Sequence, residues 1–537
     1  MHGLIQDRQL TVPWIFHRAE RLFAHKLIVT STPNGDVEST YREWAARVRR
    51  LASVLDLLGV SDGGRVGTFA ANSQSHLEIY LAAPCTGRVV HTINIRLSAK
   101  DVTYIVEHAG DEVVFIDRAR LVELWPTAAT LPGVKHWVVL DDGTDAQFPD
   151  DPRVLDYEEL LAAVAPKTSR FVIDDEYRAA GLCYTSGTTG RPKGVVYSHR
   201  SIVLHTMMML AAGFVGVHER DRVMPIVPMF HVNAWGLPHA GLLAGADLLL
   251  PGASLAPRDL LAMIERHRAT VTGGVPTVWA STVPHLAEFD LSSLRIILGG
   301  GSATPDSLSD AIRRGVGIPI THAWGMTETS PVAVVGGLRS DHDDLDPTTQ
   351  REVEAHQGQP VPLVDLRLVE AAAGTVQPWD GTSTGELQVS GPWVASAYLE
   401  EDGNGEAFTN DGWLRTGDLA TINHKGYVRI VDRLKDVIKS GGEWISSVDL
   451  ENAIVSHPDV REAAVIARPD PHWMERPIAC VVAEHNSDLT SEDVIEHLRP
   501  LVAKWWLPDE VHFMDQLPKT GTGKISKAIL RESSSGY

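Results

Sequence analysis

Tyr184-Thr-Ser-Gly-Thr-Thr-Gly-Arg-Pro-Lys-Gly194 decides how the rest of this chain is read. It follows a short apolar run, Ala180–Cys183. Hydroxyls stand at Thr185, Ser186, Thr188 and Thr189, glycines at Gly187 and Gly190, and a cation at Lys193. Such a loop wraps closely around phosphate oxygens. Glycines let backbone N–H groups approach, hydroxyls donate hydrogen bonds, and the lysine adds charge. The GxxxxGK[ST] spacing of a Walker A loop is absent. A plain surface loop has no need of this composition, so an anion site is the stronger reading.

Upstream of the loop, helical and strand-like patterns alternate. Ser98-Ala-Lys-Asp101 opens the apolar-periodic run Val102–His108 as a capping box would. Val113-Val-Phe-Ile116 and Trp137-Val-Val-Leu140 read as buried strands. Helices alternating with fully apolar strands predict an α/β domain with largely parallel sheets. The acidic stretch Ser340–Leu345 reads as a solvated loop.

The chain has 537 residues, room for more than one domain. A boundary is expected near Val431–Lys435, after a strand at Gly426–Ile430 and before a flexible Ser440-Gly-Gly442. Beyond it, Ser446–Ser456 and Thr490–Leu498 read as capped helices, Ala463–Ala467 and Ile478–Val482 as strands. The organisation predicted is a large domain over 1–431, a hinge at 432–436, and a small α+β domain over 437–537.

Composition excludes several classes. Hydrophobic residues make up 44% and charged residues 22%, so a core of ordinary size is available. A formal net charge of −21 opposes general binding to nucleic acid, which needs clustered cations. Cys85, Cys183 and Cys480 lie far apart and form no CxxC pair, so they read as reduced thiols rather than a disulfide or zinc framework. The opening residues lack a secretory pattern, and apolar runs such as Gly241–Leu250 fall short of a membrane span. A cytoplasmic protein is expected.

The loop resembles the signature of the adenylate-forming superfamily of acyl-CoA synthetases, luciferases and adenylation domains. Four further motifs follow in the family's order: Trp324-Gly-Met-Thr-Glu328, Leu414-Arg-Thr-Gly-Asp418, Asp432-Arg-Leu-Lys-Asp436 and Pro518-Lys-Thr-Gly-Thr-Gly-Lys524. The resemblance implies ATP-dependent joining of a carboxylic acid to coenzyme A through an acyl-adenylate.

The same resemblance implies residue roles. Glu328 is expected to hold Mg²⁺ with the Thr185 hydroxyl, since Mg²⁺ takes hard oxygen ligands. Trp324 flanks the adenine face, with His322, Ala323 and Thr327 lining its pocket. Gly300, Gly301 and Ser302 let substrate and nucleotide lie against bare backbone. Asp418 accepts the ribose hydroxyls, a task suited to a two-oxygen acceptor, with Arg433 assisting. Lys524 stabilises the transition state of the first step electrostatically. Lys435 is the pivot of the hinge, and Lys439 and Trp444 follow it near the nucleotide.

Met229-Phe-His-Val-Asn-Ala-Trp-Gly-Leu-Pro238 resembles fatty-acyl-CoA synthetases and methylmercaptopropionate ligases. In that reading His231 lies where acyl group and thiol meet, Trp235 gates the acyl tunnel, and Met326 lines it. A medium- or long-chain fatty acid is the leading substrate. Short, aryl or methylmercaptopropionate-like acids are alternatives, as are activation of another anion such as nitrite, transfer to a carrier-protein thiol, and a non-catalytic nucleotide-binding role. The stretch Met1–Arg21 together with the resemblance suggests a homodimer.

Overall fold

The computed structural model describes residues 1–537 except 148, 186–190, 371–372, 401–405, 442, 486, 521–523, 535–537 and the side chain of 534. Four sheets organise the described residues.

In the seven-stranded sheet, Val154–Asp156, His136–Leu140, Asp111–Asp117, Arg65–Phe69, Val89–Thr92 and Ala179–Tyr184 run parallel in that spatial order. Gly194–Ser198 closes it antiparallel to Ala179–Tyr184. Val113–Ile116 is buried throughout, as the unbroken apolar run demands when helices cover both faces. Ser98 caps the helix Ala99–Ala109 by accepting from the Asp101 N–H, as its sequence predicts.

The nine-stranded sheet has a parallel centre of Ile320–Gly325, Ile296–Gly300, Val271–Gly274, Arg222–Pro225, Asp247–Leu250 and Leu27–Thr32. Its two sides are antiparallel, formed by Val332–Val335 and Gln359–Pro360 on one and Gly35–Thr40 on the other. One apolar core runs through both large sheets. In open α/β sheets ligands bind beyond the carboxyl ends of the strands. Here those ends carry Gly274, Gly300 and Trp324.

An antiparallel five-stranded sheet ends with Leu414–Ile422 paired to Val428–Arg433. The last sheet holds Glu443–Ile445, Ile438–Ser440, Met474–Ala483 and Val460–Asp470, with Glu510–Phe513 beside Met474–Ala483. The helices Ser447–Val455 and Ser491–Leu498 pack on it and carry the predicted caps at Ser446 and Thr490. No helix of the described residues is long and apolar enough to cross a membrane.

Two local expectations need correction. The strand expected at Gly426–Ile430 is Val428–Arg433, because Asp432 and Arg433 pair with Leu419 and Asp418. The sheet therefore runs two residues into the 432–436 segment. Ser440 is a buried strand residue rather than part of a flexible stretch; it pairs with Glu443. The acidic stretch at Ser340 begins with a short 3₁₀ turn, Ser340–His342. Its His342 is buried against the Tyr427 ring at 5.4 Å, and Asp341 pairs with Lys425.

Candidate functional site

The glycine- and hydroxyl-rich loop is closed at its base by two hydrogen bonds. The Thr185 N–H donates to the Lys193 carbonyl at 2.9 Å, and the Lys193 N–H donates to Thr185 Oγ1 at 3.0 Å. Ser186, Gly187, Thr188, Thr189 and Gly190 lie outside the described residues. Lys193 Nζ sits 4.6 Å from the ring centre of Tyr398, a cation–π contact. The Tyr398 hydroxyl in turn donates to Glu328 Oε1 at 2.6 Å. The loop base and Glu328 are thus joined through one tyrosine.

Glu328 is 4% exposed. Burial raises its pKa; the Tyr398 hydrogen bond and the charges of Arg433 and Lys193 oppose that rise. Glu328 and Thr185 are a hard-oxygen donor set. Among the described residues no group of three or more His, Cys, Asp or Glu forms a metal cage. Mg²⁺ is commonly held by one or two carboxylates plus substrate phosphates and water, a role open to Glu328 with Thr185. The residues fit the ion.

Asp418 lies on the long strand Leu414–Ile422 and is 2% exposed. Its Oδ1 meets Arg433 Nε at 2.7 Å across the strand pair, and its Oδ2 accepts from the Trp324 indole N–H at 3.0 Å. An ionised carboxylate offers about four lone-pair sites. Two remain for a ligand's hydroxyls. Burial raises the Asp418 pKa, with Arg433 and Trp324 opposing.

Lys524 enters this group from the far end of the chain. A β-carbon on Gly301 would stand 3.4 Å from Lys524 Cε and 3.8 Å from Nζ. The lysine therefore lies along bare backbone, and Gly301 has a φ of 84° that favours glycine. Burial lowers the Lys524 pKa to about 8; Arg433 lowers it too, while Asp418 and Glu328 resist. The short loop that carries it is closed by Thr520 N–H donating to the Lys524 carbonyl at 2.7 Å.

Glycine is required again at Gly300, where a β-carbon would collide with the Ala323 carbonyl. His322 and Ala323 pair with Gly299 and Gly300 on the adjoining strand. Burial holds the His322 pKa at about 4, so it is neutral near pH 7. Ser302 is exposed. Thr327 accepts at its carbonyl from the Tyr197 hydroxyl at 2.7 Å. The Met326 N–H donates to Thr329 Oγ1 at 2.9 Å.

Trp235 ends a run of left-handed backbone. Val232, Asn233, Ala234 and Trp235 have φ of 45°, 52°, 48° and 55°, followed by Gly236 at 75°. Left-handed conformation costs a non-glycine residue roughly 1–2 kcal/mol, so the surroundings must impose it. Asn72 anchors the segment just before it, accepting from the Met229 N–H at 2.6 Å and donating to the Pro225 carbonyl at 2.8 Å. The Trp235 indole then lies over two glycines. Its Cε3 is 3.4 Å from a β-carbon on Gly273, and its Cη2 is 3.4 Å from one on Gly300. His231 precedes the turn, with its pKa pressed to about 3 by burial and by the charges of Lys524 and Arg96.

Thr185, Glu328, Trp324, Asp418, Arg433, Lys524, Gly301 and His231 are thereby brought together. Lys439 and Trp444 face each other on an exposed hairpin, and neither is hydrogen-bonded or ion-paired to that group among the described residues. Lys435 is exposed; its carbonyl accepts from Arg531 at 3.3 Å. Two contributors went unseen in the sequence, Tyr398 and Arg96. No spacing or motif marks either. Only the fold brings Tyr398 to Glu328 across seventy residues.

Comparisons with known proteins identify the family. The AMP-binding enzyme family model matches residues 16–399, and the AMP-binding enzyme C-terminal domain model matches 449–524. The chain is 43% identical to a long-chain-fatty-acid–CoA ligase of Thermus thermophilus, over 99% of this chain and 97% of that one. It is 40% identical to a 3-methylmercaptopropionyl-CoA ligase of Ruegeria lacuscaerulensis, over 99% and 98%. The solved structure of an anthranilate CoA ligase in complex with anthranoyl-AMP matches with a TM-score of 0.88 at 25% identity, covering 100% of this chain and 99% of that one. The chain therefore belongs to the AMP-binding enzyme family, on its acid:CoA ligase branch.

Proposed function

We propose that this protein converts a medium- or long-chain fatty acid, ATP and coenzyme A into acyl-CoA, AMP and pyrophosphate, with an acyl-adenylate between two half-reactions. The observation that carries the reading is Lys524 lying on the bare backbone of Gly301, in one electrostatic group with Asp418, Arg433 and Glu328.

In the first half-reaction a carboxylate oxygen bonds to the α-phosphorus and the bond to pyrophosphate breaks. Two anions must meet, and Lys524 lowers that cost where charge crowds most. Asp418 takes the ribose hydroxyls on its two open acceptor sites, while Arg433 and Trp324 fix its orientation. The closed base at Thr185 and Lys193 presents the loop to the phosphates. Mg²⁺, when bound at Glu328 and Thr185, supplies charge neutralisation for the departing phosphates.

In the second half-reaction the thiol sulfur bonds to the acyl carbon and the bond to AMP breaks. His231 is neutral over the working pH range. A pKa of about 3 makes it a poor base, so its contribution is hydrogen bonding and packing at the acyl carbon. The large domain runs to the end of the strand at Arg433, residues 434–436 form the hinge with Lys435 as pivot, and 437–537 form the lid that delivers Lys524.

Apolar lining by Trp235 and the absence of a charged partner in the His231–Pro238 segment support an uncharged acyl chain. One observation favours a shorter acid: the indole lies against Gly273 and Gly300, occupying space that a longer acyl chain would need. A cytoplasmic location and a homodimer complete the proposal. Pyrophosphate release across acids from three to eighteen carbons, with and without coenzyme A, tests it. Acid-dependent release with acyl-CoA formed only when coenzyme A is present is the result expected. Release independent of any acid would overturn the reading.

A further inference from the structure

Lys527 follows Lys524 by three residues and opens the helix Lys527–Ser534. Its ammonium is nearly buried, at 14% side-chain exposure. It pairs with Glu451 Oε1 at 2.7 Å and donates to Ser447 Oγ at 2.6 Å. Ser447 passes the contact on: its hydroxyl and its N–H both donate to Asp432 Oδ2, at 2.7 and 2.6 Å. Asp432 is 1% exposed and has its other oxygen on the Arg433 N–H at 2.7 Å. Glu451 also accepts from the Val465 N–H at 2.7 Å. One cation thus serves the half-buried Glu451 directly and the buried Asp432 through Ser447, and every polar atom named in the chain has a partner.

Asp432 and Lys527 belong to different parts of the fold. Asp432 is fixed by the five-stranded sheet, in register with Leu419. Ser447, Glu451 and Lys527 belong to the last sheet and its helices. The backbone link between these parts is the short segment after Arg433. Successive strand residues point to opposite faces. Arg433 accordingly reaches Asp418 in the site, while Asp432 turns to the N-terminus of the helix Ser447–Val455, where a carboxylate is favoured. Arg531 adds a second tie, pairing with Asp436 at 2.5 Å.

Buried ion pairs contribute little net stability against apolar replacements; their best-attested use is to specify one arrangement over another. We infer that Lys527 is a positioning residue, and that the Asp432–Ser447–Lys527 chain is a latch that holds Lys524 in the site for the first half-reaction and parts when the lid turns. The inference rests on the adenylating role proposed for Lys524. It assigns no contact with substrate to Lys527.

The test uses full-length Asp432→Asn, Lys527→Met and Lys527→Arg, with Lys524→Ala alongside. An amide is neutral and has one acceptor oxygen, so Asp432→Asn removes the charge that faces Lys527 through Ser447 and must give up either the Arg433 contact or the two Ser447 contacts, while the Lys527–Glu451 pair survives. Single-turnover pyrophosphate release from dodecanoate and ATP reads the first half-reaction. Thioester formation from supplied dodecanoyl-adenylate and coenzyme A reads the second. Asp432→Asn and Lys527→Met are expected to slow the first about 10–100-fold, the scale of a misplaced catalytic group, and to leave the second near wild type. Lys527→Arg should recover most of the loss. Equal loss in both half-reactions, or a wild-type first step in Asp432→Asn, overturns the latch. Should Lys527→Met fail to fold, Asp432→Asn decides alone. A wild-type first step in Lys524→Ala would bring down the underlying role itself, a result separable from failure of the latch.

Discussion

The Trp324 indole N–H donates to Asp418 Oδ2 at 3.0 Å, so the aromatic plane and the buried carboxylate are set by one hydrogen bond. Trp324→Phe keeps a ring and removes that bond. Burial raises the Asp418 pKa and the indole opposes the rise, so the variant's pKa goes higher still. The ionised form is the one that accepts hydroxyl protons. The acidic limb of kcat/KM for ATP should therefore move to higher pH, and KM should rise roughly tenfold, as for loss of one hydrogen bond to a charged group. A pH profile at varied ATP checks both; an unmoved acidic limb would separate Trp324 from Asp418 functionally.

Lys524, with its pKa lowered to about 8, is charged below that value and neutral above it. Charge is what the first step uses, so kcat/KM for adenylate formation should fall as pH rises through about 8. kcat/KM reports the free enzyme, where the phosphates do not yet hold the proton on. Lys524→Ala should lose about 100–1000-fold in that step and lose the alkaline limb with it. Thioester formation from supplied adenylate should persist.

Glu328 and Tyr398 share a 2.6 Å hydrogen bond. Glu328→Gln should raise the Mg²⁺ concentration needed for half-maximal rate at saturating ATP, because a neutral amide is a weaker hard-oxygen ligand. Tyr398→Phe should produce a smaller shift in the same direction, through freed rotation of Glu328. Initial rates over a Mg²⁺ series measure both. A Mg²⁺ dependence unchanged in Glu328→Gln would remove the carboxylate from the metal site.

Trp235→Ala separates a fixed floor from a gate that moves. A fixed indole over Gly273 and Gly300 predicts that the variant gains activity on longer acids, up to about 0.8 kcal/mol for each added methylene. A gate opened by nucleotide predicts that wild type already uses long chains and that the variant loses ATP-first binding order without a new length preference. The left-handed turn from Val232 to Trp235 favours the gate, because four consecutive non-glycine residues in that region have a lower-energy backbone to relax to. Rates across chain lengths, with order of addition varied, decide it.

The site was legible where chemistry forces a local pattern. The hydroxyl- and glycine-rich loop at Thr185 suits phosphate by its composition alone, whereas Glu328, Asp418, Arg433 and Lys524 are marked by motifs that resemble those of the adenylate-forming family. Strands such as Val113–Ile116 were equally plain, because burial on both faces leaves an unbroken apolar run. Tyr398 and Arg96 were invisible because long-range packing alone brings them to the site. The Val428–Arg433 strand was misplaced since its end is set by pairing with Asp418 and Leu419, a partner more than ten residues away. Nothing in Asp432 or Lys527 as single charged residues announces their link through Ser447, which is a tertiary result.

Passage through an acyl-adenylate transfers one carboxylate oxygen to the α-phosphate. Dodecanoate labelled with ¹⁸O in both carboxylate oxygens should, after turnover with ATP and coenzyme A, leave one ¹⁸O in the phosphate of AMP, read by mass spectrometry. Label in inorganic phosphate with ADP as the nucleotide product, or AMP carrying no label, would contradict the account.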